Sequence, residues 1–260
     1  MKLEVNNAYF KYVEANPILE DINFVLEDGQ FLCVLGQNGI GKTTFLKCLT
    51  GILKWESGHV KFNGKKIDGI SDLKEVAYVP QAHAVTFPYT ALDMVCMGRT
   101  KHMSFFAMPS KIDRKIARDC LEQLGIAHLE NRKCSQMSGG QLQMVYIARA
   151  LASDPELLIL DEPEAHLDFK NQALIIKRLK LLVKERKISC IMNTHNPENA
   201  LRISDYILLF GFGGEYIFGK TNETLTEKNI NRFFDVDTKI VDLKKMGIDT
   251  KTFVMMPDDK

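Results

Sequence analysis

The chain has 260 residues, with 34 basic and 33 acidic side chains and a formal net charge of +1. Apolar residues make up 45% and charged residues 26%, so a disordered chain, a polybasic nucleic-acid binder and an acidic tail are excluded. That length allows one large domain or two small ones, and six cysteines without a CxxC pair read as reduced thiols rather than disulfide staples or a zinc knuckle.

In chain order, residues 3–10 and 18–26 read as strands, the second stopping at Glu27-Asp28-Gly29. Residues 31–35, Phe-Leu-Cys-Val-Leu, form an unbroken apolar run of strand length, as a strand buried on both faces requires. A glycine-punctuated loop leads into a helix over 43–50. Short strands resume between His59 and Pro80 around an Asn63-Gly64 hairpin signal. Residues 91–97, 112–124 and 141–151 carry helical periodicity, with a turn bearing exposed aromatics at 104–109. Residues 156–160 are a second buried strand, 171–187 an amphipathic helix, and 188–193 and 205–210 two further strands. Strands alternating with helices predict an α/β core built on a parallel sheet. Residues 236–260 show no core periodicity and end in polar residues.

Residues 36–43, GQNGIGKT, satisfy GxxxxGK[ST] between a buried strand and a helix, the context that gives the pattern meaning. Gly36, Gly39 and Gly41 let successive backbone amides, including that of Asn38, turn toward phosphate oxygens. The following helix offers its positive end, with Thr44 in its first turn. Lys42 places an ammonium between β- and γ-phosphates, and the Thr43 hydroxyl is a ligand for Mg²⁺. A second strand, residues 157–160, ends in Asp161-Glu162. Asp161 stands at a strand's carboxyl end, where α/β folds bind ligands, and Glu162 is placed to polarise a water.

Met137-Ser138-Gly139-Gly140-Gln141 resembles the signature motif of ATP-binding cassette (ABC) ATPases, and the other cassette motifs stand in the expected order around it. Tyr12 resembles the aromatic that stacks on adenine, with Tyr9 and Phe10 as neighbouring candidates. Gln81 resembles the Q-loop glutamine, Asp161-Glu162-Pro163 the Walker B end, Leu167-Asp168 the D-loop, and Thr194-His195 the switch histidine. The resemblance spans about residues 1–235. It implies a P-loop NTPase cassette: a mostly parallel RecA-like core sheet, an N-terminal antiparallel β subdomain, and a helical signature subdomain over about 85–155, followed by a C-terminal extension at 236–260. It also implies ATP and Mg²⁺ as cofactors, with Gln81 joining Thr43 and Asp161 at the metal, Glu162 as general base and His195 at the γ-phosphate. In the family two cassettes pack head to tail, each ATP lying between one chain's phosphate loop and the Ser138-Gly139-Gly140-Gln141 segment and Asp168 of the other. Met137, Glu164 and Asn196 depart from the commonest pattern, which carries Leu, a small or hydroxyl residue, and Asp there.

The absence of an 18-residue apolar run argues against fused membrane segments, and the N-terminus lacks a signal-peptide core. The resemblance therefore implies a separate ATPase subunit on the cytoplasmic face of the inner membrane, held there by permease subunits that a substrate-binding protein serves. The segment from Ala91 through Met97-Gly98-Arg99, Phe105-Phe106 and Pro109-Ser110 resembles importers of iron-siderophores, haem and cobalamin. Phe105, Phe106 and Met108 are candidates for an apolar docking patch. Oxyanion importers share parts of the pattern. A soluble P-loop kinase or GTPase, which would leave residues 138–141 without a role, and a module that binds ATP without hydrolysing it, which an ATPase assay separates, are the alternatives of another class.

Overall fold

The structure, a computed structural model, describes residues 1–13, 16–70, 73–81, 87–104, 107–165, 167–247 and 251–256. The chain divides into two units, Met1–Ile70 with Ile191–Lys260, and Ser71–Cys190. The first unit begins with β1 (Lys2–Lys11), β2 (Pro17–Glu27), β3 (Phe31–Leu35), α1 (Lys42–Thr50), β4 (Ser57–Phe62) and β5 (Lys65–Ile67). Leu3, Val5, Ala8 and Phe10 of β1 are buried between exposed or half-buried neighbours, the period-two pattern of a one-faced strand. β1 pairs antiparallel with β2 and β4, giving a four-stranded antiparallel sheet in the order β2-β1-β4-β5. The β4–β5 turn has Asn63 at φ 49° and Gly64 at φ 79°, both left-handed as a two-residue hairpin turn needs.

β3 is buried along its whole length, as its unbroken apolar run predicts. It pairs in parallel with β9 (Tyr206–Phe210), which follows α6 (Pro197–Ile203) and precedes β10 (Tyr216–Lys220), antiparallel to β9. Phe45, two residues beyond the GKT sequence, is fully buried and ties α1 to this layer. Its ring lies 6.0 Å from Phe24, 5.5 Å from Phe210 and 6.3 Å from Trp55. Aromatic anchors of this kind are worth several kcal/mol, on the order of 3–5 for Phe→Ala, so the helix that follows the phosphate loop is held rigidly.

The second unit holds β6 (Val76–Val79), α2 (Ala91–Cys96), α3 (Lys111–Gln123), α4 (Gly139–Ala152), β7 (Leu157–Asp161) and α5 (Phe169–Arg186); β8 (Ser189–Asn193) carries the chain back to the first. β6 and β7 are parallel, Val76 opposite Leu157 and Val79 opposite Leu160. The helices expected over about 85–155 are α2, α3 and α4, and all three start with reciprocal capping boxes: Thr90 with Asp93, Ser110 with Asp113, Ser138 with Gln141. The Met97-Gly98-Arg99 tripeptide has a structural role here. A Cβ on Gly98 would lie 2.0 Å from the Arg149 carbonyl oxygen, so only glycine lets this segment lie against α4. Arg99 Nη1 donates to the Ala152 carbonyl at 2.8 Å, and its Nε pairs with Asp113 at 3.2 Å.

The rest of the first unit is α7 (Thr221–Thr224), α8 (Glu227–Phe234), β11 (Thr238–Asp242) and β12 (Lys251–Met255). α6, β10 and α8 add to the elements expected from the sequence, and beyond Val236, where the sequence shows no core periodicity, β11 and β12 form an antiparallel pair. Their Val241, Val254 and Met255 are exposed. All six cysteines are buried, and burial pushes the Cys48 thiol up to about 12. No described helix is long and apolar enough to cross a membrane.

Candidate nucleotide site

In the first unit the phosphate loop runs from β3 to α1. Gly41, the N-cap of α1, has φ 111°, and a Cβ there would meet Ile18 Cγ2 at 2.4 Å. Gly36 has φ 148°, and its Cβ would meet the Phe210 carbonyl oxygen at 2.7 Å. Both glycines are fixed by backbone conformation and by close packing. No side chain caps α1, whose first internal bond is Phe45 N–H to the Gly41 carbonyl at 2.8 Å. A helix start of this kind presents backbone donors and the positive end of the dipole to an anion. Lys42 is buried, and its Nζ donates to the Gly36 and Gln37 carbonyls, each at 2.9 Å. The ammonium is thus held inside the loop's curl.

Tyr12 and Thr44 meet through their hydroxyls at 3.3 Å. Phe10 is buried in the sheet and packs edge-on against Tyr12 at 5.0 Å, whereas Tyr12 is 42% exposed. Of the three aromatics near residue 10, Tyr12 is the one hydrogen-bonded to α1 and open to stacking. At the end of β8, Thr194 N–H donates to the Val34 carbonyl at 3.1 Å, so the strand leading to His195 ends level with the strand leading to Gly36. His195 is exposed. Asn196, the departure beside it, caps α6: its Oδ1 accepts from the amides of Glu198 at 2.9 Å and Asn199 at 3.2 Å. Asn followed by Pro at a helix start was a signal available in the sequence.

In the second unit the parallel register of β6 and β7 brings the residues after Val79 and Leu160 to the same edge, which groups Gln81 with Asp161 and Glu162. Asp161 is buried and accepts from the Tyr78 hydroxyl at 3.3 Å. Burial first, then the Asp161 charge, push the Tyr78 phenol well above its ordinary range, so it stays a proton donor to the carboxylate. Nothing in the sequence marked Tyr78. Glu162 has φ 45°, a left-handed conformation that costs a non-glycine residue about 1–2 kcal/mol. Glu164, one of the departures from the commonest cassette pattern, is buried.

Ser138 and Gln141 cap α4 reciprocally: Gln141 N–H reaches Ser138 Oγ at 3.4 Å, and Ser138 N–H reaches Gln141 Oε1 at 3.2 Å. The Ser138 hydroxyl accepts in that bond and keeps its own proton to donate. A Cβ on Gly139 would meet nothing within 4 Å, and one on Gly140 would touch Asn171 and Leu167 at 3.4 Å. Asp168 caps α5 through Asn171 N–H at 2.8 Å. Phe105 and Phe106, expected to dock a partner, lie outside the described residues; Met108, the third residue of that expectation, is exposed.

Each unit fits part of an Mg²⁺-nucleotide by itself: in the first, the uncapped start of α1 suits phosphate, and in the second, the buried Asp161 carboxylate is a hard oxygen donor of the kind Mg²⁺ takes.

Residues 19–165 match the sequence family described as ABC transporter. The chain is 37% identical over 232 residues to the molybdate import ATP-binding protein MolC of Haemophilus influenzae, covering 89% of this chain and 87% of MolC. It is 35% identical over 245 residues to the probable iron chelatin transport ATP-binding protein of Helicobacter pylori, covering 93% and 96%. A solved metal-chelate type ABC transporter in an inward-facing conformation matches with a TM-score of 0.87 at 33% identity, over 98% of both chains. The chain belongs to the ABC transporter family, as one of its ATP-binding subunits, an ATPase coupled to transport.

Proposed function

We propose that this subunit powers import of a metal chelate of the iron-siderophore, haem or cobalamin kind, through permease subunits on the cytoplasmic face of the membrane, which a substrate-binding protein serves. Two copies act head to tail around two Mg-ATP. The observation that carries the ATPase half of this reading is the strained, left-handed Glu162 directly after the buried Asp161. Lys42 and the bare start of α1 hold the triphosphate, Tyr12 stacks on the base, and Thr43, Asp161 and Gln81 supply the metal's ligands. When bound, Mg²⁺ neutralises charge on the β- and γ-phosphates. Glu162 orients the attacking water and accepts its proton, and His195 donates a hydrogen bond to the γ-phosphate. The partner copy's signature segment contributes the Ser138 hydroxyl and the amides of Gly139 and Gly140.

Glu162→Gln keeps the shape and removes the base. It is expected to bind ATP normally and to hydrolyse it on the order of 10²–10⁴-fold more slowly, accumulating an ATP-bound dimer seen by sizing. Turnover near the wild-type rate removes Glu162 from that role. For the cargo, the similarity to the iron chelatin protein and to the metal-chelate transporter supports a chelate, whereas the similarity to MolC supports an oxyanion as the second reading. Uptake of ferric siderophore, haem, cobalamin and molybdate by cells lacking this chain separates them: loss of molybdate uptake alone overturns the chelate.

A further inference from the structure

A cavity of about 380 Å³ lies within the first unit, between the segment carrying His195 and the C-terminal β11–β12 pair. That volume is in the range of small-molecule sites, and about 150 Å³ is enough for benzene. Ile230 and Phe234 of α8 line it together with Val236, Phe253 and Met255. Phe234, Val236 and Phe253 are only half-buried and Met255 is 75% exposed, so apolar surface faces this concavity uncovered. His195 and Asn196 form part of the polar lining. Among the described residues no Lys or Arg lines the cavity, and the one carboxylate there, Glu198, is already engaged by Arg202 at 2.7 Å and by the Thr252 hydroxyl at 2.8 Å. Thr238 also lines it; its hydroxyl is buried and has no hydrogen-bond partner among the described residues.

We propose that this cavity binds a small uncharged aromatic molecule bearing one hydrogen-bonding group, and that occupancy changes the rate of ATP hydrolysis through the His195 segment. The walls select a ring. The missing cation and the resident carboxylate disfavour an anion, which would be desolvated beside Glu198 without a counter-charge. The unsatisfied Thr238 hydroxyl selects a single polar group, because a buried hydroxyl without a partner gains most from acquiring one. Thr238 lines the cavity with its hydroxyl turned inward, in a two-stranded sheet whose strands pair only with each other among the described residues, so a small shift of the pair presents the hydroxyl to the cavity. Coupling to hydrolysis follows from the lining, because His195 and Asn196 touch the same space; this part rests on the reading of His195 as a γ-phosphate contact.

The test titrates 2-naphthol into the full chain and follows methyl resonances of Met255 and Ile230, with 2-naphthoate as the anionic comparator. Saturable shifts are expected for 2-naphthol, with binding at least about tenfold weaker for 2-naphthoate. Thr238→Val, which keeps the shape and removes the hydroxyl, should weaken 2-naphthol about five- to tenfold. Val236→Trp, filling the space, should abolish binding with an unchanged melting profile. No saturable shift, equal binding of 2-naphthoate, or wild-type affinity in both variants overturns the site. At saturation 2-naphthol should change the wild-type ATPase rate about twofold or more and leave that of Val236→Trp unmoved; an unmoved wild-type rate overturns the coupling. If the wild type hydrolyses no ATP at all, the ATPase reading fails, and the titration alone still decides the cavity.

Discussion

Helices α1 and α4 both begin in glycine-rich segments, and the two starts are built in opposite ways. At α1 the N-cap is a left-handed glycine, no side chain satisfies the first amides, and the Lys42 ammonium is drawn into the loop by two carbonyls. At α4 the start is closed by Ser138 and Gln141, which satisfy each other's amides. The glycines differ in the same sense. Gly41 is required by its own chain, since Ile18 stands 2.4 Å from where a Cβ would be; Gly139 is not, since nothing lies within 4 Å. The first start is complete within one chain and open to an anion. The second is stable without one, and its bareness at Gly139 has no explanation inside the subunit. That difference fits a phosphate loop that binds ATP in the single subunit and a signature segment that meets ATP only when another copy brings it.

The sharpest way to break the comparison is at α1. Lys42→Ala removes the one buried cation of the loop and two hydrogen bonds to its carbonyls. A charge-assisted bond from that ammonium to a phosphate is worth about 1.5–3 kcal/mol, so the affinity of the isolated subunit for ATP should fall on the order of 10- to 100-fold, measured by calorimetry. A fall below tenfold would mean that the amides of α1 alone hold the triphosphate.

Gly139→Ala should have the opposite signature. With open space around the new methyl and a better helix former in the first turn, the subunit should fold as well as the wild type or gain up to about 1 kcal/mol. ATP binding to the isolated subunit should be unchanged, while hydrolysis falls about tenfold or more because the methyl occupies the approach of the partner's phosphates. Unchanged turnover would leave the signature start with a purely structural role.

How far the sequence could be read follows the range of the interactions involved. The phosphate loop, the capping boxes and the Asp161-Glu162 pair are local patterns, and each of their residues lies within a few positions of its partners. That β3, β7 and β9 are strands of a parallel sheet was legible because strands buried on both faces must be continuously apolar, but β6 read only as one of the short strands between His59 and Pro80, and neither its pairing with β7 nor that of β3 with β9 was legible. Tyr78 was not legible, because its value comes from Asp161, which is distant in sequence and near only through register. The Met97-Gly98-Arg99 tripeptide was legible as a resemblance and not as a mechanism, since the atoms that exclude a Cβ at Gly98 belong to α4. β11 and β12 were not legible because Phe253-Val254-Met255-Met256 is one short apolar run without the alternation of a one-faced strand, and Val241, Val254 and Met255 stay exposed in the pair.

The smallest effect belongs to the device that closes α4. In Gln141→Ala the Ser138 amide loses its acceptor while Ser138 Oγ still caps the helix. Half a capping box is worth about 0.5–1 kcal/mol, which lowers the melting temperature by roughly 1–4 °C in a chain of this size. Ser138→Ala removes the cap itself and should destabilise more, by about 1 kcal/mol, and should also take away the one hydroxyl proton the segment can offer an anion. If Gln141 only closes the helix, Gln141→Ala will keep near-normal turnover at temperatures well below its melting point, and Ser138→Ala will not. Equal losses of turnover in the two variants would mean that the Gln141 amide leaves the box when the partner's ATP arrives, and that the closed start seen at α4 is its resting arrangement.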